Sequence, residues 1–139
     1  MLKKYKNIRI PADKSEWEPW DKYFPGAPEN KGDHGGWVNV LRKPDETDSG
    51  WTFLFKWVGH PEHKVRVSAH VPEDSNEEVY VIEGDFRGFD SGDYVFHGRG
   101  APHVAVFDRD FVAVLHFDGG PDIIDSYDYE SLDPVAPKI

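Results

Sequence analysis

From Trp37 onward the chain is written in short runs where β-branched and aromatic residues alternate with polar ones. Trp51-Thr-Phe-Leu-Phe-Lys-Trp-Val58 and Phe111-Val-Ala-Val-Leu-His-Phe117 are the clearest. A period of two places successive side chains on opposite faces of a strand. The pattern predicts strands over Trp37–Leu41, Trp51–Val58, Val65–His70, Val79–Glu83, Tyr94–His97, His103–Phe107 and Phe111–Phe117. Turn formers separate them: Pro44-Asp45, Ser49-Gly50, Gly59, Pro72-Glu73-Asp74, Asp90-Ser91-Gly92, Gly98 and Gly100. Many short strands with such punctuation read as a sandwich or barrel. No run of ten or more residues shows a helical period with a capped start. The expected organisation is an irregular N-terminal arm over residues 1–35, a β-barrel over 36–118 and a C-terminal extension over 119–139 that lies along the surface. The arm is rich in Pro, Gly and charge, yet it carries Trp17, Trp20, Tyr23 and Phe24. Rings of that size pack onto a domain or a partner subunit, whereas a disordered segment carries few of them.

At 139 residues the chain has enough apolar material for one core. It has no cysteine, which excludes a disulfide scaffold, a zinc–thiolate site, an iron–sulfur cluster and a cysteine nucleophile. Sixteen basic residues stand against 26 acidic ones, for a formal net charge of −10. A negative surface repels phosphates, so nucleic acid and anionic membranes are poor partners. No apolar run reaches the length of a membrane span. The basic start Met1-Leu2-Lys3-Lys4 leads into no apolar stretch, and a cytoplasmic setting is expected.

The unusual chemistry sits in two segments and one strand. Val67-Ser68-Ala69-His70 leads to Glu77-Glu78-Val79-Tyr80-Val81-Ile82-Glu83-Gly84, and Gly92-Asp93-Tyr94-Val95-Phe96-His97 leads to Gly100-Ala101-Pro102-His103. His116 interrupts the last apolar run. By parity Glu77 shares a face with Val79 and Val81, and His103 shares one with Ala105 and Phe107. A carboxylate and imidazoles converging inside an apolar barrel make a nitrogen–oxygen site for a first-row metal. Two histidines and a carboxylate leave open positions, as non-haem iron chemistry requires.

These residues resemble the paired motifs of the cupin superfamily. Its first motif is His-x-His, then a Glu, then six residues and a Gly. Glu77 stands seven positions before Gly84, and His70 matches the second histidine. Its second motif is Gly, five residues, Pro-x-Gly, two residues and His, which Gly92, Gly100 and His103 match in register. The lead-in Trp37-Val38-Asn39-Val40-Leu41, the core Gly92-Asp93-Tyr94-Val95 and the end Gly119-Gly120-Pro121 resemble single-domain members related to acetylacetone dioxygenase and dihydroxyacetophenone dioxygenase, and the cupin half of a zinc-binding anti-sigma factor. The resemblance implies an all-β, double-stranded jelly-roll barrel that forms a homodimer. It also implies one divalent transition metal, Fe(II) first with zinc, manganese or nickel as alternatives. Implied ligands are His70, Glu77 and His103. The implied activity is dioxygen-dependent cleavage of a carbon–carbon bond in a diketone or hydroxyaryl ketone. The alternatives are a redox-neutral lyase, isomerase or hydrolase, and a non-catalytic metal- or ligand-binding module.

The chain departs from the motifs at defined places. Ser68 stands where the first histidine belongs, six residues instead of three or four separate His70 from Glu77, and Gly98 replaces the motif proline. His116 is the first substitute for the missing ligand, ahead of His97, His63 and His60. His97, Tyr94 and Tyr80 are the candidate pocket residues for acid–base work. His34, His60 and His63 read as loop residues, and Arg66 and Arg99 as surface residues or carboxylate receptors.

Overall fold

The structure, a computed structural model, describes residues 16–86 and 88–131. Residues 1–15 of the arm and 132–139 of the C-terminal extension lie outside that range. Among the described residues nine strands follow in order: β1 (Glu18–Pro19), β2 (Gly35–Arg42), β3 (Trp51–Val58), β4 (His63–His70), β5 (Glu77–Gly84), β6 (Tyr94–His97), β7 (Pro102–Phe107), β8 (Phe111–Phe117) and β9 (Ile123–Ser131). They form a six-stranded sheet in the order β1-β2-β3-β8-β5-β6 and a three-stranded sheet in the order β7-β4-β9. All pairings are antiparallel. The all-β jelly-roll architecture read from the sequence is the one observed. Among the described residues no helix is long and apolar enough to cross a membrane.

The alternation explains why the two sheets close on each other. Phe53, Phe55 and Trp57 of β3 and Phe111, Ala113, Leu115 and Phe117 of β8 are buried. They meet Val65, Val67 and Ala69 of β4, Phe107 of β7 and Ile124 of β9 in one core cluster. Each apolar side chain withdrawn from water in this way contributes about 1.5–3 kcal/mol. The rings add directional contacts. Phe24, Phe53 and Phe117 pack within 5.3–6.0 Å of one another, and such pairs contribute about 0.5–1.5 kcal/mol beyond their area.

The arm packs where its aromatics direct it. Trp20, in a short 3-10 turn over Trp20–Lys22, is buried, and its ring lies 5.6 Å from Trp57 and 6.0 Å from Phe55. Gly36 leaves the space this ring takes: a Cβ there would stand 2.7 Å from it. The C-terminal extension contributes to the smaller sheet. Residues 123–131 are a strand hydrogen-bonded along the length of β4, from His70↔Ile123 to His63↔Ser131.

Two motif glycines have a backbone reason. Gly84 closes β5 with φ of 72°, and a Cβ there would stand 2.5 Å from the Asp110 carbonyl oxygen. Gly100 turns the chain into β7 with φ of 71°, beside the Glu73 carboxylate. L-residues avoid such dihedrals, so both positions require glycine.

Candidate metal centre

Glu77 is the first residue of β5 and occupies an inward position, in phase with Val79 and Val81. Its direct partner across the β5–β6 ladder is His97. On β6 the inward residues are Val95 and His97, while Tyr94 and Phe96 point out and are more than half exposed. His103 comes from the facing sheet, on β7, paired with Ala69 of β4. The group is therefore assembled from both walls of the barrel. One ligand atom from each of Glu77, His97 and His103 lies within 4.8 Å of the others. His103 Nε2 is 3.5 Å from Glu77 Oε1, His97 Nε2 is 3.9 Å from the same oxygen, and the two imidazoles stack at 4.1 Å.

Asp122 joins them from the connection between β8 and β9. It is buried, and its Oδ2 accepts a hydrogen bond from His103 Nε2 at 3.0 Å. Its other oxygen, Oδ1, is buried without a partner. Sequence reasoning misses this residue, although Pro121-Asp122-Ile123 carries a signal: an acidic side chain wedged between a proline and the apolar start of a run.

The electrostatics follow from burial. Glu77 is 3% exposed, and desolvation together with the neighbouring Asp122 carboxylate pushes its carboxyl well above the usual range. Burial alone would lower His103, but the hydrogen bond and charge of Asp122 more than offset this, and the net shift is upward. His97 is lowered, by burial first and then by the charge of His103. Its imidazole is thus held neutral, the form that ligates metals. In the metal-free protein Nε2 donates to Asp122; a metal taking that proton's place at Nε2 would leave the proton of the neutral ring on Nδ1, 3.4 Å from the Ala101 carbonyl.

This donor set fits a divalent cation. Two buried carboxylates face each other, and the ion-pair partners of Glu77 and Asp122 among the described residues are the two imidazoles. Beside them is a cavity of about 100 Å³ with apolar walls that include Val67, Phe86, Phe107, Leu115 and Ile124. Water-excluding walls with a few converging polar groups are the usual form of a small-molecule site.

The other candidates lie elsewhere, and strand parity is the reason. In β4 the inward residues are Val65, Val67 and Ala69. His70 therefore points outward, where its Nδ1 lies 2.9 Å from both Asp125 carboxylate oxygens. Ser68 shares its parity and pairs with Ser126 of β9. The structure does not bring His70 to Glu77 and His103. In β8, Leu115 and Phe117 point inward and His116 points outward, 3.0 Å from Thr52 Oγ1 and 3.2 Å from Arg42 Nη2. Tyr80 and Tyr94 face each other across the outer side of β5 and β6, and the Tyr94 hydroxyl donates to Glu78 at 2.6 Å. They do not line the cavity, whereas His97 does. His34, His60 and His63 gather at one end of the barrel, with ring centres 4.9 and 4.6 Å apart in sequence order. Arg66 and Arg99 are exposed and do not line the cavity.

No family model and no curated relative matches the chain. Solved structures do. A candidate acetylacetone dioxygenase from Methylibium petroleiphilum is 21% identical over 91% of this chain and 86% of its own, with a TM-score of 0.58. An acetylacetone dioxygenase from Acinetobacter johnsonii is 15% identical over 93% and 88%, with a TM-score of 0.54. The polyketide cyclase RemF from Streptomyces resistomycificus is 18% identical over 97% and 88%, with a TM-score of 0.51. At these identities the likeness is one of fold.

Proposed function

The chain has the cupin fold, and on that premise we propose that it is a metal-dependent enzyme. Glu77, His97 and His103 hold one divalent transition metal, and the adjoining cavity receives a small organic substrate. The observation that carries this reading is the convergence of those three side chains, from opposite walls, at an apolar cavity. The finer reading is a non-haem Fe(II) dioxygenase that cleaves a carbon–carbon bond in a diketone or hydroxyaryl ketone, with both oxygen atoms of dioxygen entering the products. A nitrogen–carboxylate donor set with open positions supports iron. Bound there, Fe(II) supplies Lewis acidity toward an enolate oxygen and the electrons that dioxygen activation needs.

The chain's own residues do the rest. His103 is aimed by the proton on Nδ1, and His97 is kept neutral by burial and by its stacked neighbour. Phe107, Leu115 and Val67 give the cavity apolar walls, and such low-dielectric surroundings strengthen each polar contact made there. A flat, chelating substrate matches a cavity with aromatic walls and one polar end.

Oxygen uptake by the Fe(II)-loaded chain with a panel of 1,3-diketones and hydroxyaryl ketones tests the reading. Uptake is expected in step with substrate loss and absent in His103→Ala. The carboxylate–imidazole couple of Asp122 and His103 favours a second reading, redox-neutral proton transfer by a lyase or isomerase. Substrate turnover without oxygen uptake would establish that one in place of the oxygenase.

A further inference from the structure

We propose that Asp122 is itself a ligand of this metal, taking the place of the histidine pair that β4 does not supply. The inference rests on the metal-centre reading above and extends it to a residue outside the superfamily motifs.

The inward positions of β4 facing the site are Val67 and Ala69, with Ala69 directly opposite His103. Neither side chain can donate to a metal. Asp122 reaches the same group from the far side of β4, because Pro121 and Ile123 deliver it just as β9 begins to pair with His70. Three observations separate it from an ordinary buried acid. It is 6% exposed, it already contacts the metal-facing nitrogen of His103, and its second oxygen is buried without a partner. An orphaned carboxylate oxygen inside a protein is costly unless something cationic completes it. No lysine or arginine among the described residues pairs with Asp122 or Glu77.

Charge counting supports the same conclusion. Two carboxylates and two neutral imidazoles around a divalent cation sum to zero, the arrangement least penalised by burial. With one carboxylate the buried centre would keep a net positive charge, and the Asp122 carboxylate would still stand against it. Replacing imidazoles by a carboxylate also shifts the donor set toward oxygen. Such a set suits Mn(II) better than a histidine-rich set does, whereas imidazoles suit zinc, copper and nickel.

The test is a titration of the full chain, stripped with chelator, with Co(II) and with Mn(II). Wild type, Asp122→Asn and Asp122→His are compared, and the fold of each is checked by circular dichroism. The wild type is expected to bind one Co(II) with a d–d absorption band. In Asp122→Asn that band should shift and the affinity should fall at least ~10-fold, the lower end of what lost metal-site contacts cost. In Asp122→His the preference for Co(II) over Mn(II) should rise by at least ~10-fold, because imidazole favours the later metal. A wild type that binds metal, with an Asn variant of equal affinity and unchanged band, would overturn the role of Asp122 and leave the metal centre standing. If the Asn variant does not fold, an unchanged metal preference in the His variant would do the same. A wild type that binds neither ion would remove the metal-centre reading and this inference together.

Discussion

Replacing Glu77 by glutamine should stabilise the metal-free protein at alkaline pH and abolish its response to metal. Glu77 is 3% exposed and shares its pocket with a second carboxylate, so its ionised form is disfavoured by burial and by Asp122. In the unfolded chain its value is the ordinary 4.5, and in the folded chain it is raised. Protons are therefore bound more tightly in the folded state. The stability this contributes is complete below pH 4.5 and is lost as pH rises through the folded value. His103, also raised, acts in the same direction: its contribution is complete below 6.5 and is lost as pH rises through its folded value. The glutamine side chain has no proton to lose and keeps the shape of the glutamate. A buried polar group left without compensation costs about 1–3 kcal/mol, and more when charged. At pH 8 in the presence of chelator, Glu77→Gln should thus be more stable by about 1–3 kcal/mol, a Tm increase of roughly 4–12 °C for a chain of this size. The gap should close toward pH 5. Added divalent metal should reverse the order, because ligand binding raises only the stability of the chain that binds. Thermal melts across pH, with and without metal, read all of this. A glutamine variant that is less stable at pH 8 without metal, or whose Tm varies with pH as steeply as wild type, would refute the reasoning.

His70→Ala should leave metal affinity within about twofold, and its lost contact with Asp125 should cost no more than ~1 kcal/mol, since the pair is largely exposed. Isothermal titration and urea melts check the two halves. Tyr80→Phe and Tyr94→Phe should likewise leave metal binding unchanged, because both side chains face away from the cavity; a loss beyond threefold would contradict their placement. Phe53→Ala should cost about 3–5 kcal/mol in urea denaturation, as the ring is fully buried among Phe24, Trp51 and Phe117. A cost below ~1 kcal/mol would mean that the core is not packed as described.

The legible parts of this structure are those where alternation runs in one phase. β3 and β8 alternate without interruption, and Glu77 and His103 fall inward by the same count that buries Val79 and Phe107. Parity alone places His70 and His116 outward, since Ala69, Leu115 and Phe117 are the buried neighbours. A motif match draws His70 toward the site instead, and an otherwise apolar run draws His116. β9 is hidden for a different reason. Its pairing with β4 slips between Ser68 and Ala69, so that Ser126 and Ile124 face successive residues and Asp125 is the extra one. A bulge of this kind resets the phase. Ile124 is therefore buried on one parity while Tyr127 and Tyr129 pack against the core on the other. No single period fits Ile123–Ser131. Asp122 lies just before that strand, in a connection where periodicity has no purchase. Only the fold brings it to His103, 19 positions earlier in the chain.

Metal content per chain tests the central claim most directly. Untagged protein would be loaded anaerobically with Fe(II), dialysed and measured by elemental mass spectrometry beside His103→Ala. Close to one equivalent is expected in the wild type and less than about a tenth in the variant, because the site loses a donor that carries its own orienting contact. Equal content in the two proteins, or none in the wild type even with excess metal, would contradict a metal centre built on Glu77, His97 and His103.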